Sequence, residues 1–152
     1  IEEARKTGID VGVYFFSQAI NEEEAAEEAD FVIGLLEGYE LQLPVVYDPE
    51  LIRDDEARTD EVTGEQFTAN TIAFCERIKA AGYQPMIYSN MVWESELFDL
   101  KQLQDYPIWY ADYEPIPQTP YNFVMWQYTE KGHVEGINGI VDRNVWFVPT
   151  EE

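Results

Sequence analysis

Residues 43–48, Leu-Pro-Val-Val-Tyr-Asp, are apolar almost throughout, and a strand without polar alternation has to be covered on both faces. That is the signature of a parallel sheet, whose crossover connections lay helices against it. The rest of the chain supplies them. Short β-rich runs at residues 9–16, 43–48, 85–89, 107–113 and 123–128 alternate at first with helical stretches and end among turns, an α/β order followed by a β-rich part. Asn21 with Glu24 reads as the N-cap pair of a helix reaching about Leu36, with Ala25, Ala29, Val32, Ile33 and Leu36 as its apolar stripe. Thr63 with Gln66 resembles a capping box opening a second helix to about Ala81, with Phe67, Phe74, Ile78 and Ala81 near one face and Gly82 as its stop. A shorter helical segment is expected over residues 92–103, an acidic loop over 54–62 and a proline-rich turn over 114–120. Asn138-Gly139, between residues 134–137 and 140–141, is a two-residue hairpin signal. No repeat or low-complexity linker divides the 152 residues, so one domain is expected.

Strand–helix–strand order with right-handed crossovers builds either an open doubly wound sheet or part of a barrel, and the periodicity alone leaves both open. Nucleotide binding loses its main support. Gly8-Ile9-Asp10-Val11-Gly12 precedes or lies within a strand, so no glycine-rich phosphate loop follows one. Thirty-one acidic against nine basic residues give a formal charge of -22, which disfavours nucleic acid and anionic membrane surfaces as partners. Acidic residues concentrate at 22–30, read as the solvated face of a helix, and at 48–65. No stretch reaches the about 18 apolar residues of a membrane span, and residues 1–12 lack a leader's basic, apolar and small-residue order. Cys75, the single cysteine, falls in a helical apolar pattern and reads as a small buried thiol. His133, the single histidine, lies beside Gly132 in a turn with no serine or cysteine that has an obvious claim on it as a partner, which argues against a hydrolytic triad.

Asp48-Pro49-Glu50 ends the buried strand, and α/β folds place their chemistry outside the carboxyl ends of strands. Side chains two apart on an extended segment share a side, about 6.5 to 7 Å apart, so two carboxylates can face one substrate. Among apolar neighbours they should titrate apart, one ionised and one protonated enough to be a general acid. By itself the tripeptide reads first as a charged Asp-Pro turn, and it is the rest of the sequence that favours a site. Aromatic residues crowd the same strand ends, namely Tyr14 and Phe16, Tyr47, Tyr88, Trp109 and Tyr110, and Trp126 and Tyr128, and alternation should turn about half of them inward. Flat aromatic faces beside carboxylates suit a sugar, though each ring is equally a candidate for core packing.

Gly12-Val13-Tyr14-Phe15-Phe16-Ser17 with Ala19, Glu28-Ala29-Asp30-Phe31, residues 43–50, and Gly82-Tyr83 leading to Ile87-Tyr88-Ser89-Asn90 resemble successive blocks of glycoside hydrolase family 25. Trp109-Tyr110-Ala111-Asp112-Tyr113, Trp126-Gln127-Tyr128-Thr129 and Gly136-Ile137 through Val141-Asp142-Arg143-Asn144 continue them in order, over nearly the whole chain. The resemblance implies a modified (β/α) barrel of lysozyme type that hydrolyses the β-1,4 bond between N-acetylmuramic acid and N-acetylglucosamine in peptidoglycan, without metal or cofactor and at an extracellular or cell-wall location. It further implies Glu50 as general acid, Asp48 as the group that orients the substrate acetamide or stabilises anomeric positive charge, and Asp142 as a further acid of the site. Tyr14, Tyr47, Tyr88, Asn90, Trp109, Tyr110, Trp126 and Gln127 are the expected substrate contacts.

Two departures accompany the resemblance. The family's opening strand with its Asp-Val-Ser type block, and the helix and strand that follow it, have no counterpart before Gly12. Pro49 stands where the family more often has an apolar or aromatic residue. A barrel short of two strands leaves two edges, to be closed by a second copy or a complementing chain. The alternative to an active muramidase is therefore a non-catalytic remnant that binds glycan or a protein partner.

Overall fold

The computed structural model describes residues 1–52 and 55–148. A short helix α1 (Glu2–Lys6) precedes β1 (Val13–Ser17), α2 (Glu22–Leu35), β2 (Val45–Pro49), α3 (Gly64–Ala80) and β3 (Pro85–Asn90). A π-helical turn (Trp93–Leu97), β4 (Ile108–Ala111), β5 (Met125–Gly132) and β6 (Val141–Trp146) complete the chain. The six strands form one curled sheet in the order β1-β2-β3-β4-β5-β6, parallel from β1 to β5 and antiparallel between β5 and β6. The fold is thus a modified α/β barrel, open between β1 and β6. No helix among the described residues is long and apolar enough to cross a membrane.

The register sorts the side chains into two layers. Val45, Tyr47, Ile87, Ile108 and Tyr110 face the helices, where they pack with Ala25, Ala29 and Val32 of α2 and Phe67, Phe74, Cys75 and Ile78 of α3. Val46, Met86 and Tyr88 form a smaller cluster on the concave face, with Trp109, Ala111 and Val124 against it. All five residues of β2 are buried, as an apolar run covered on both sides requires. The Cys75 thiol lies wholly within the helical layer, and burial raises its pKa well out of the reactive range.

Both helix starts are where the sequence puts them, but each carries half a capping box. Asn21 Oδ1 accepts from the Glu24 N–H at 2.9 Å and Thr63 Oγ1 from the Gln66 N–H at 3.2 Å. The returning side chains go elsewhere. Glu24 takes the Ile20 N–H and Arg58, and Gln66 donates to Glu22 and Asn70. Gly82, at φ 91°, ends α3 in a conformation that favours glycine.

Several expected elements differ. Residues 9–12 run past the sheet, because β1 pairs only with β2 and their ladder begins at Val13 opposite Val45. The helical segment at 92–103 collapses to the π-helical turn, closed by the Phe98 N–H on the Trp93 carbonyl at 2.7 Å and followed by turns. The fourth strand ends at Ala111, and the fifth is shifted to Met125–Gly132. A hairpin does join the last two strands, but Asn138-Gly139 is not its turn. Its ladder pairs Gly132 with Val141, and the connection over residues 133–140 holds a separate turn in which the Ile137 N–H meets the Val134 carbonyl around Gly136 at φ 89°. Of the expected acidic loop, residue 54 lies outside the described residues; the rest includes a turn in which Thr59 is buried.

Candidate active site

β2 ends in the tripeptide Asp48-Pro49-Glu50, and both carboxylates line a cleft of about 440 Å³ at the carboxyl end of the parallel strands. β6 runs antiparallel, so its first turn of chain brings Asp142 to the same end. Tyr14 and Phe16 from β1, Tyr88 from β3, Trp109 from β4, Gln127 and Glu130 from β5, and Tyr113 complete the lining. Even-numbered positions of β1 to β3 and odd-numbered positions of β4 share the concave face, which is why Tyr14, Asp48, Tyr88 and Trp109 converge.

The walls are held by their own contacts. The Trp109 ring meets Tyr14 and Tyr88 edge to face, at 6.5 and 5.1 Å between centroids, and its indole N–H donates to Asn144 Oδ1 at 2.8 Å. Gln127 Oε1 accepts from both the Tyr88 and Tyr113 hydroxyls, at 3.0 and 2.7 Å. Below Glu50, the Gln18 side-chain amide donates to the Glu50 carbonyl at 3.3 Å, while the Gln18 N–H donates to Glu28 Oε1 at 3.0 Å. Glu28 also bonds the Ser17 hydroxyl, which touches the Tyr47 hydroxyl at 2.9 Å. This chain ties the middle of α2 to the backbone that presents Glu50.

Asp48 is 7% exposed and its Oδ1 has no hydrogen-bond partner among the described residues. Burial first, and the charge of Glu50 second, push its pKa up to about 7. Glu50 reaches the open part of the cleft, yet partial burial and then the Asp142 charge raise it as well. Around neutral pH Asp48 is therefore still partly protonated, its burial favouring the neutral carboxyl.

Tyr14, Tyr88, Trp109, Gln127, Asp48, Glu50 and Asp142 of the expected site residues are brought together. The other four are not. Tyr47 and Tyr110 are 1% and 0% exposed in the helical layer, on the face of their strands away from the cleft. Trp126 alternates with Gln127, so it points away, its indole N–H on the Asp112 carbonyl at 2.7 Å. Asn90 folds over the next turn and accepts from the N–H groups of Val92 and Trp93. Three lining residues, Phe16, Tyr113 and Glu130, were not among the expected contacts, although Phe16 was one of the aromatics noted at the strand ends. Tyr113 lay in an expected strand and in a family block; no sequence signal marked Glu130. His133 is exposed and lies outside the cleft lining.

The profile of Glycosyl hydrolases family 25 matches residues 1–137. The chain belongs to that family. Among solved structures, this family 25 chain is similar to the modular autolysin LytC from Streptococcus pneumoniae in complex with a synthetic peptidoglycan ligand, with a TM-score of 0.81 and 26% identity, over 97% of this chain and 36% of that one. A family 25 glycosyl hydrolase from Bacillus anthracis aligns with a TM-score of 0.72 and 25% identity, over 97% of this chain and 69% of that one. The uncharacterized protein YegX of Escherichia coli O157:H7 is 40% identical over 79 residues, 49% of this chain and 27% of YegX. The family 25 chain thus spans about a third of the autolysin and about a quarter of YegX.

Proposed function

We propose that this chain is a peptidoglycan hydrolase of the N-acetylmuramidase type, cleaving the β-1,4 bond between N-acetylmuramic acid and N-acetylglucosamine. The carrying observation is the carboxylate pair Asp48 and Glu50 at the floor of an aromatic-walled cleft, with Asp48 held near pKa 7. Glu50, the more exposed of the two, protonates the leaving oxygen, and Asp48 orients the acetamide of the muramic acid unit. The proton distribution of the free cleft changes when sugar fills it. A sugar ring covering Glu50 removes water and favours its neutral form, while an acetamide N–H donated to Asp48 favours the ionised form. Substrate thereby moves the proton to the residue that delivers it. Tyr14, Tyr88 and Trp109 cover the apolar faces of the sugars, and Gln127 and Asp142 bind hydroxyl or amide groups.

Digestion of purified peptidoglycan, followed by mass spectrometry of the reduced fragments, tests this. New reducing ends on muramic acid are expected, and Glu50→Gln should lower the rate by at least about 100-fold. Reducing ends on glucosamine, or no cleavage from pH 4 to 8, would sink the reading.

The exposed edges of β1 and β6 favour a second reading, a non-catalytic glycan-binding module whose cleft is completed by another chain. It predicts no bond cleavage, with glycan affinity lost in Trp109→Ala.

A further inference from the structure

Four carboxylates, Asp48, Glu50, Glu130 and Asp142, line the cleft, and among the described residues no lysine, arginine or histidine does. Lys131, whose Nζ lies 3.5 Å from Glu130 Oε1, is largely in solvent. Arg143 follows Asp142 in β6 and alternates to the other face, where its guanidinium stacks 5.8 Å from the Tyr128 ring. Asp142 has no salt-bridge partner among the described residues. Asp48, more than nine-tenths buried and lining the cleft, keeps one oxygen without a protein partner. A wholly neutral glycan would desolvate these carboxylates and return only neutral hydrogen bonds. A glycan with an ammonium group would offset that cost with charge-assisted ones.

We propose that the cleft selects glycan in which the glucosamine unit carries a free amine in place of its acetamide, with Asp142 as the selecting carboxylate. The inference rests on the reading of this cleft as a glycan site. The muramic acid acetamide stays with Asp48, so the free amine belongs to the neighbouring unit. Glu130 is partly engaged by Lys131, which leaves Asp142 to meet the ammonium.

Recognition is separated from cleavage by working first in the Glu50→Gln background and titrating a glucosamine tetramer and an N-acetylglucosamine tetramer by calorimetry at low salt. The glucosamine tetramer should bind about tenfold tighter, falling to about twofold at 0.5 M salt. Adding Asp142→Asn should reduce the preference to about twofold, whereas Glu23→Gln, on the solvent side of α2, should leave it intact. Equal affinities would overturn the proposal. So would an equal loss in the Glu23→Gln chain, since the preference would then be a property of the net charge of -22 and not of the cleft.

The wild-type chain is then given de-N-acetylated peptidoglycan, the same material re-acetylated with acetic anhydride, and a glucosamine polymer. Faster cleavage of the first than of the second supports amine selection in a cell-wall substrate. Cleavage of the polymer alone supports the same selection but assigns the amine to a chitosan-type glycan. Cleavage of none, with the calorimetric preference kept, removes the hydrolase reading and leaves the selection standing; cleavage of re-acetylated wall alone does the opposite.

Discussion

Asp48 occupies a costly position for a charge, since β2 buries it, one oxygen has no partner and Glu50 repels it. Its pKa rises from 3.8 to about 7 on folding, so the folded chain binds the proton more tightly than the unfolded one. The contribution to stability is therefore full below about pH 4 and is lost as pH climbs to 7. Above that the ionised carboxylate costs on the order of 4 kcal/mol. Asp48→Asn should raise the melting temperature at pH 8 by several degrees and leave it nearly unchanged at pH 4. A shift of equal size at both pH values would mean that packing, not ionisation, sets the cost. At this scale the acid pair was legible only because Asp-Pro-Glu ends an apolar strand and also falls within the ordered family blocks. The neighbours Tyr47 and Tyr110 were not. Alternation gives a phase only when one face is polar, and β2 is buried on both, so nothing in its sequence tells a ring in the helical layer from a ring in the cleft.

α2 shows what an element owes to local signals and what it owes to packing. Its stripe of Ala25, Ala29 and Val32 is buried against the sheet and α3 as the period of 3.6 predicts, and Asn21 caps its first turn. Asn21→Ala leaves the Glu24 N–H without its side-chain acceptor and should lower stability by about 1 kcal/mol, read as a shift in the urea midpoint at constant slope. A changed slope would place the effect in the cooperativity of unfolding. Because Gln18, which holds the Glu50 carbonyl, also donates its N–H to Glu28 in the middle of this helix, the helix is also a support of the cleft. Helices and buried strands were therefore readable from period and caps. The C-terminal hairpin was less so, because the register shifts after Gln127 and Thr129 extend β5 past Tyr128 and carry Glu130 into the cleft. Those shifts follow from pairing with β6, a long-range contact that no local window contains.

The whole molecule sets two opposing tendencies against each other. The sheet ends in two unpaired edges, and near them Tyr14 is 65% exposed, Phe16 42%, Val145 39%, Trp146 37% and Phe147 46%. Unpaired N–H and C=O groups beside apolar side chains template pairing with a second copy. Against this stands a formal charge of -22, which repels a like chain over about 30 Å at 0.01 M salt but over only about 4–5 Å at 0.5 M. Repulsion falls steeply with salt while apolar burial and strand pairing do not, so the balance should reverse between the two conditions. Light scattering coupled to gel filtration should give the monomer mass of 17.7 kDa at 10 mM sodium chloride and a dimer or larger species at 500 mM. Val145→Lys places a charge on the β6 edge and should keep the chain monomeric at both. A monomer for the unmodified chain at both salts and at high concentration would show that the edges are too short to pair alone. Association that Val145→Lys leaves unchanged would move the contact to β1, where Tyr14 and Phe16 would be withdrawn from the cleft, and glycan affinity would then fall as salt drives assembly.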